Sequence, residues 1–188
     1  YIASITANGL SVTVSNPAGQ TYQFPALAAN GSLTATYAIN MYTITVTDTA
    51  NGDIAPNTGS YAAGSTPSFT ITPSSGYYIA SITANGLSVT VSNPAGQTYQ
   101  FPALAANGSL TATYAQTMYT ITVAQTANGV IAPGTGSYAA GSAPSFTITP
   151  SSGYYIASIT ANGLSVTVST PAGQTYQFPA LAANGSLT

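Results

Sequence analysis

Tyr42, Ile44 and Val46 alternate with Thr43, Thr45 and Thr47, an in-and-out period of two that predicts a half-buried strand. Phe69 and Ile71 alternate in the same way with Ser68, Thr70 and Thr72. Between these runs, Ala50-Asn51-Gly52 predicts a turn, and Ser60-Tyr61-Ala62 a short strand ended by Gly64. Pro73-Ser74-Ser75-Gly76 predicts the next turn. Tyr77, Ile79 and Ile82 then follow at spacings of two and three, the mark of a β-bulge. Asn85-Gly86 predicts a two-residue hairpin turn, because a type I′ turn needs positive φ at both central residues. It leads into Leu87, Val89 and Val91. After Asn93-Pro94-Ala95-Gly96 come the strand of Tyr99 and Phe101, the turn Ala106-Asn107-Gly108, and a last strand of Leu110, Ala112 and Tyr114.

No stretch carries a useful helical stripe. Ala103-Leu104-Ala105-Ala106 follows Pro102 and runs straight into Asn-Gly, which leaves room for one turn at most. Six or seven strands in 77 residues, with turn signals every roughly 8–12 residues, predict a small β-sandwich. The expected fold class is all-β: tandem small β-sandwich domains, Ig-like or β-grasp-like, of about 77 residues each. A β-solenoid would need a shorter sub-period of about 20–30 residues, and none is present.

The unit repeats almost letter for letter. YIASITANGLSVTVS begins at Tyr1, Tyr78 and Tyr155, and residues 1–77 and 78–154 differ at seven positions. The last, partial copy departs from the second only at Thr170, where the others have Asn16 and Asn93. Two of the seven differences fall at Ile39 and Asn40, opposite Gln116 and Thr117, between two strand-like runs. That position is the expected boundary. The chain then divides into the C-terminal half of one domain (1–38), a complete domain (39–115), and a domain lacking its last strand (116–188). This reads as an excerpt from a longer array. A 77-residue domain buries only about 60–65% of its surface, so contacts between neighbouring copies are an expected source of stability.

Composition narrows the chemistry. The chain has no Lys, Arg, His or Cys, and Asp48 and Asp53 are its only acids. Ser and Thr supply 52 residues and do the solvating that charges usually do. Abundant Tyr, Val, Ile and Thr argue against disorder. With no basic patch, nucleic acid and anionic lipid are poor partners. No apolar run reaches the ~18–20 residues of a membrane span, so no insertion by this segment is expected. Trypsin-like proteases find no Lys or Arg to cut, which suits life outside the cell.

Catalysis by Ser-His-Asp or Cys-His groups is excluded, as are zinc sites. A repeated two-carboxylate mechanism fails because the counterparts of Asp48 and Asp53 are Gln125 and Val130. No enzyme activity, cofactor or metal is expected. Asp48, Asn51 and Asp53 offer a weak oxygen set for Ca²⁺, with ordinary turn polarity as the plainer account. Gly134-Thr135-Gly136 with Gly141 has the look of a phosphate loop but lacks its Lys and spacing. Asn30, Asn107 and Asn184 stand in Asn-Gly-Ser sequons, where the turn alone explains Asn-Gly.

Three surface features remain. Tyr61 and Tyr138 lie in a loop-like SYAAG and are candidate exposed contacts for a glycan, against the plainer account of packing. Thr43, Thr45 and Thr47 share a face, as do Ser68, Thr70 and Thr72. Such ladders occur on ice-binding surfaces and equally on solvated sandwich faces. Met41–Val46 is β-rich, uncharged and free of Pro. Tyr42, Ile44 and Val46, with Tyr119, Ile121 and Val123, are therefore the candidate assembly strand, in which an open edge would add a strand from a neighbour.

YTITVTDTANGDIAPNTGSYAAGSTPSFTITPSSGYYIASITANG, closed by YQFPALAANGSLTATYA, resembles the divergent internalin B-repeat type of large bacterial and archaeal surface proteins. The shared pattern is a Tyr/Thr opening strand, Asn-Gly, a Ser/Thr/Phe strand, Pro-x-x-Gly-Tyr, a hairpin and a closing strand. The resemblance covers the whole unit and implies tandem β-rich domains on secreted, surface or matrix proteins, with no catalytic residues. The chain departs from that pattern in lacking Lys and acids in its strands. The expected function is a structural tandem repeat of an extracellular filament, sheath or cell-surface stalk, with copies of itself as partners. The alternative is an adhesin repeat that binds a glycan or a surface.

Overall fold

The computed structural model describes all residues, 1–188, as strands and turns with no helix. The first copy holds β1 (Ile2–Ala7), β2 (Leu10–Val12) and β3 (Leu33–Tyr37). The second holds β4 (Met41–Thr47), β5 (Gly52–Ala55), β6 (Gly59–Ala62), β7 (Ser68–Pro73), β8 (Tyr77–Ala84), β9 (Leu87–Val89), β10 (Gln97–Gln100) and β11 (Gly108–Gln116). The third holds β12 (Met118–Val123), β13 (Gly129–Ala132), β14 (Gly136–Ala139), β15 (Ser145–Pro150), β16 (Ile159–Ala161), β17 (Leu164–Val166), β18 (Gln174–Gln177) and β19 (Gly185–Leu187).

The second copy shows the full architecture. A five-stranded sheet, β6-β4-β11-β8-β9, faces a three-stranded sheet, β5-β7-β10. The chain crosses between the sheets repeatedly, and its closing strand β11 slots between β4 and β8. β11 runs parallel to β4, from Gly108 opposite Ile44 to Thr111 opposite Thr47. It runs antiparallel to β8. Ile44, Ile54, Phe69, Ile71, Ile79, Ile82, Ala84, Phe101, Leu104, Leu110 and Ala112 form one core between the sheets. A second core, around Ile121, Phe146, Ile159, Phe178 and Leu187, serves the third copy.

The expected bulge is present. Ser81 opposes Thr113 and Ile79 opposes Tyr114, so Ala80 is the extra residue of β8. The hairpin turn is also as expected, with φ of 52° at Asn85 and 76° at Gly86. One strand was not anticipated. β5 opens on a glycine and stops before Pro56, so its four residues carry little periodic signal. The expected boundary between Ala115 and Gln116 falls inside the end of β11. β12 begins at Met118, which leaves Thr117 as the entire connection. Thr117 donates its N–H to the Gly76 carbonyl and accepts from Ala140 N–H, both at 2.8 Å.

Identical residues have different fates in the three copies. Leu110 and Leu187 are 0% exposed, while Leu33 is 50% exposed. The difference is a neighbour: β11 and β19 lie beside β4 and β12, whereas β3 pairs only with β1. Gln97–Gln100 is a strand against β7, but the identical residues 20–23 form none, because no β7 counterpart pairs with them. Strand formation in this chain is set by tertiary pairing more than by local propensity.

This contrast gives a two-site test. Leu110→Ala should lower the unfolding free energy by about 2–5 kcal/mol in a denaturant titration, the usual cost of emptying a core leucine site. Leu33→Ala should shift it by less than about 0.5 kcal/mol. Equal losses would mean that the first copy buries Leu33 after all.

Candidate functional site

The candidate assembly strand is placed inside the sheet, which corrects the open-edge expectation for it. β4 bonds to β6 on one side and β11 on the other, and β12 likewise lies between β14 and β19. Ile44 and Ile121 are fully buried, and Tyr42, Val46, Tyr119 and Val123 pack against the two cores. The remaining amides are also taken. Thr43 N–H donates to Asn107 Oδ1 and Val46 N–H to Thr58 Oγ1, each at 2.9 Å. Thr120 and Val123 repeat this with Asn184 and Thr135. Asn107 and Asn184 of the Asn-Gly-Ser sequons therefore act as staples, and Gly134-Thr135-Gly136 is a strand connection whose Thr135 does the same for Val123.

Tyr61 and Tyr138 are half-buried, not free. The Tyr61 ring meets Phe69 edge-on at 6.0 Å, and Tyr138 meets Phe146 at 5.9 Å. Phe69 in turn meets Phe101 at 5.7 Å, and Phe101 meets Tyr99 at 5.0 Å. The aromatic residues of SYAAG thus extend an edge-to-face ladder from the core to the rim.

The two acids do not gather into an ion site. Asp48 Oδ1 accepts the buried Ile54 N–H at 3.0 Å. In the third copy Gln125 does the same job: its Oε1 accepts Ile131 N–H at 2.9 Å and its Nε2 donates to Ile131 O at 2.6 Å. Acid and amide are interchangeable here because the loop needs an acceptor and not a charge. Among the described residues no group of three acidic or otherwise metal-ligating side chains exists.

Beside this loop the Tyr114 ring covers Gly52 so closely that it leaves no room for a Cβ there. Its hydroxyl donates to the Asp53 carbonyl at 3.2 Å. Burial first, then the charges of Asp48 and Asp53, push the Tyr114 phenol above its usual value. In the third copy the corresponding place, over Gly129, Ile131 and Ile156, is a cleft of about 250 Å³.

What the unit presents outward is a sheet of hydroxyls. On the five-stranded sheet Ser60 opposes Thr43, Thr47 opposes Thr111, Thr111 opposes Thr83, and Thr83 opposes Ser88. Ser81 and Thr113 hydrogen-bond directly, Oγ to Oγ1, at 2.6 Å. On the smaller sheet Ser68, Thr70, Thr72 and Thr98 are exposed. Neither face carries a charge except Asp53 at one edge.

A family model, the divergent InlB B-repeat domain, matches residues 42–118 and again 119–188. The chain belongs to this family. It is a tandem array of surface-protein repeat units, all-β in each copy. Searches of curated proteins and of solved structures find no match. No helix of this InlB B-repeat chain is long and apolar enough to cross a membrane.

Two predictions follow the loop geometry. Asp48→Ala should cost about 1–3 kcal/mol, because Ile54 N–H is left buried without a partner. Asp48→Gln, the residue of the third copy, should restore most of that loss in the same denaturant titration. Separately, the fold favours the neutral Tyr114 phenol, so the unfolded chain loses that proton first as pH rises. The stability Tyr114 contributes is intact below about pH 10 and is lost above it. The thermal midpoint should therefore fall more steeply from about pH 9 to about pH 11 in the wild type than in Tyr114→Phe. Equal slopes would remove Tyr114 from the account.

Proposed function

We propose that the chain is a structural stretch of an extracellular filament, sheath or cell-surface stalk. Its units, divided near Ile39 and Gln116, join to one another and to copies of the same chain through β-strand pairing and uncharged Ser/Thr contacts. The single observation that carries this reading is the junction. One residue, Thr117, joins the second unit to the third, and both its backbone groups are bonded, one into each unit. A connection of that length transmits load and leaves no flexible linker.

The surface supports the same reading. A chain with 1% charged residues has almost no like-charge repulsion to hold copies apart. No Lys guards a sheet edge. A glycan-binding adhesin would draw on exposed aromatic residues, and Tyr61 and Tyr138 spend much of their surface on Phe69 and Phe146. The position outside the cell accords with the repeat family and with the absence of Lys and Arg targets for trypsin-like proteases.

The purified 188-residue chain, concentrated stepwise, should form ordered polymers visible by electron microscopy and a growing fast boundary in sedimentation velocity. A compact monomer that persists at the highest soluble concentration would overturn the assembly reading. Saturable binding on a glycan array, lost on replacing Tyr61 and Tyr138 together, would put the adhesin in its place.

A further inference from the structure

The five-stranded sheet has two outer strands, β6 and β9. Their directions follow from the pairings. β6 is antiparallel to β4, β4 is parallel to β11, β11 is antiparallel to β8, and β8 is antiparallel to β9. β6 and β9 therefore run in opposite directions. Two copies placed side by side by simple translation would bring β9 of one against β6 of the other in antiparallel sense.

Each outer strand has a residue whose outward backbone is free at both N–H and C=O; Ala62 also points outward from β6, but its carbonyl accepts from Ser65. Ala63 N–H donates to Asn40 O, which sets the bonded pairs of the β4–β6 ladder at Tyr42/Tyr61 and Ile44/Gly59. Ser60, between them, directs its N–H and C=O away from β4. On the other side the two-residue turn at Asn85-Gly86 makes Ala84/Leu87 a bonded pair, so Ser88 points away from β8. Neither Ser60 nor Ser88 takes part in any turn or loop hydrogen bond. The third copy repeats the arrangement at Ser137 and Ser165.

The side chains agree with this alignment. With Ser88 opposite Ser60 of the second copy, Leu87 falls opposite Tyr61 and Val89 opposite Gly59. Leu87 is 73% exposed, on the same face as its buried neighbour Ala84. Tyr61 is half-exposed, on the same face as the buried Ile44 side of β4. Both project toward the core side of the sheet, so the contact would cover an exposed leucine with a half-buried aromatic rim. Leu10 and Leu164 have the same 73% exposure at the same place in their hairpins.

The other edges are less available. β5 stops at Pro56 and β10 stops two residues before Pro102. Asp53, one of the two acids, sits on β5.

We propose that β9 of one copy adds antiparallel to β6 of a second copy of this chain, with Ser88 and Ser60 exchanging both backbone hydrogen bonds and Leu87 packing on Tyr61. The contact is heterologous, because each copy offers one edge of each kind, and copies related by translation continue it without closing. Successive units offer the same pair, Ser165 with Ser137. This pairing rests on the assembly reading above and names its edges.

Two variants test it on the whole chain. Ser60→Pro with Ser137→Pro removes the donor at the centre of the proposed contact without touching the β4–β6 ladder, a place where an edge strand tolerates proline. Circular dichroism and the denaturant midpoint should match wild type, while the concentration needed for polymer rises about tenfold or more. In the second test the chain's lack of cysteine makes cross-linking unambiguous. A Ser60→Cys/Ser137→Cys chain is mixed with a Ser88→Cys/Ser165→Cys chain and oxidised. Disulfide-linked pairs should form in the mixture far more than in either chain alone. Polymer formed equally well by the proline variant, or cross-links as abundant in one cysteine chain alone as in the mixture, would overturn this pairing and leave assembly standing. A wild type that never associates would overturn assembly itself, and this pairing with it.

Discussion

The closing strand decides everything else in this molecule. When residues of the Leu110 segment insert between β4 and β8, the first and last strands of a unit become parallel neighbours and the core is sealed. The same letters at Leu33 have only β1 beside them, and the leucine stays half-exposed. Sequence identity between copies therefore does not guarantee structural identity. Burial is conferred by a partner that lies about 65 residues away in the chain, as Thr43 and Asn107 illustrate. Such non-local closure costs loop entropy before it yields contacts, which makes each unit a cooperative object rather than a string of hairpins.

Polar bookkeeping without charge is the second constraint. Every buried side-chain polar atom has a partner. The partners are amides, hydroxyls and one carboxylate acting as an amide would. Asn107 holds Thr43, Asn85 holds Ser109, and Asp48 holds Ile54. Gln97 pins the loop before β10 by accepting from Ser92 N–H and donating to Thr90 O. Turn residues thus serve twice, once for backbone geometry and once as staples between strands. The result is a surface almost free of electrostatic repulsion, with hydroxyls spread over both faces.

Much of this was legible in the sequence. The period of two located β4, β7 and β11, the uneven spacing after Tyr77 located the bulge at Ala80, and Asn85-Gly86 located the hairpin. Sandwich architecture followed from strand number and turn spacing. Strand order did not, because alternation records which face is buried and not which strand lies alongside. For that reason Tyr42, Ile44 and Val46 read as an edge when they lie inside the sheet. β5 escaped notice because Gly52 and Pro56 frame a run too short to show a period. Tyr61 looked like a loop residue, since nothing local reveals the Phe69 ring beneath it. The edge carried by Ser60 and Ser88 emerges only from the bonding phase of the two outer ladders.

Topology and surface together argue for a scaffold that works by repetition. A parallel pair in the middle of the sheet sends its two outer strands in opposite directions, which is the condition for copies to continue one another's sheets. Residue-resolved hydrogen exchange on dilute and on assembled chain tests this most directly. The account predicts that the Ser60, Ser88, Ser137 and Ser165 amides exchange rapidly in the dilute chain and become protected on assembly. Exchange at those four amides that stays equally fast in the assembled material would contradict it.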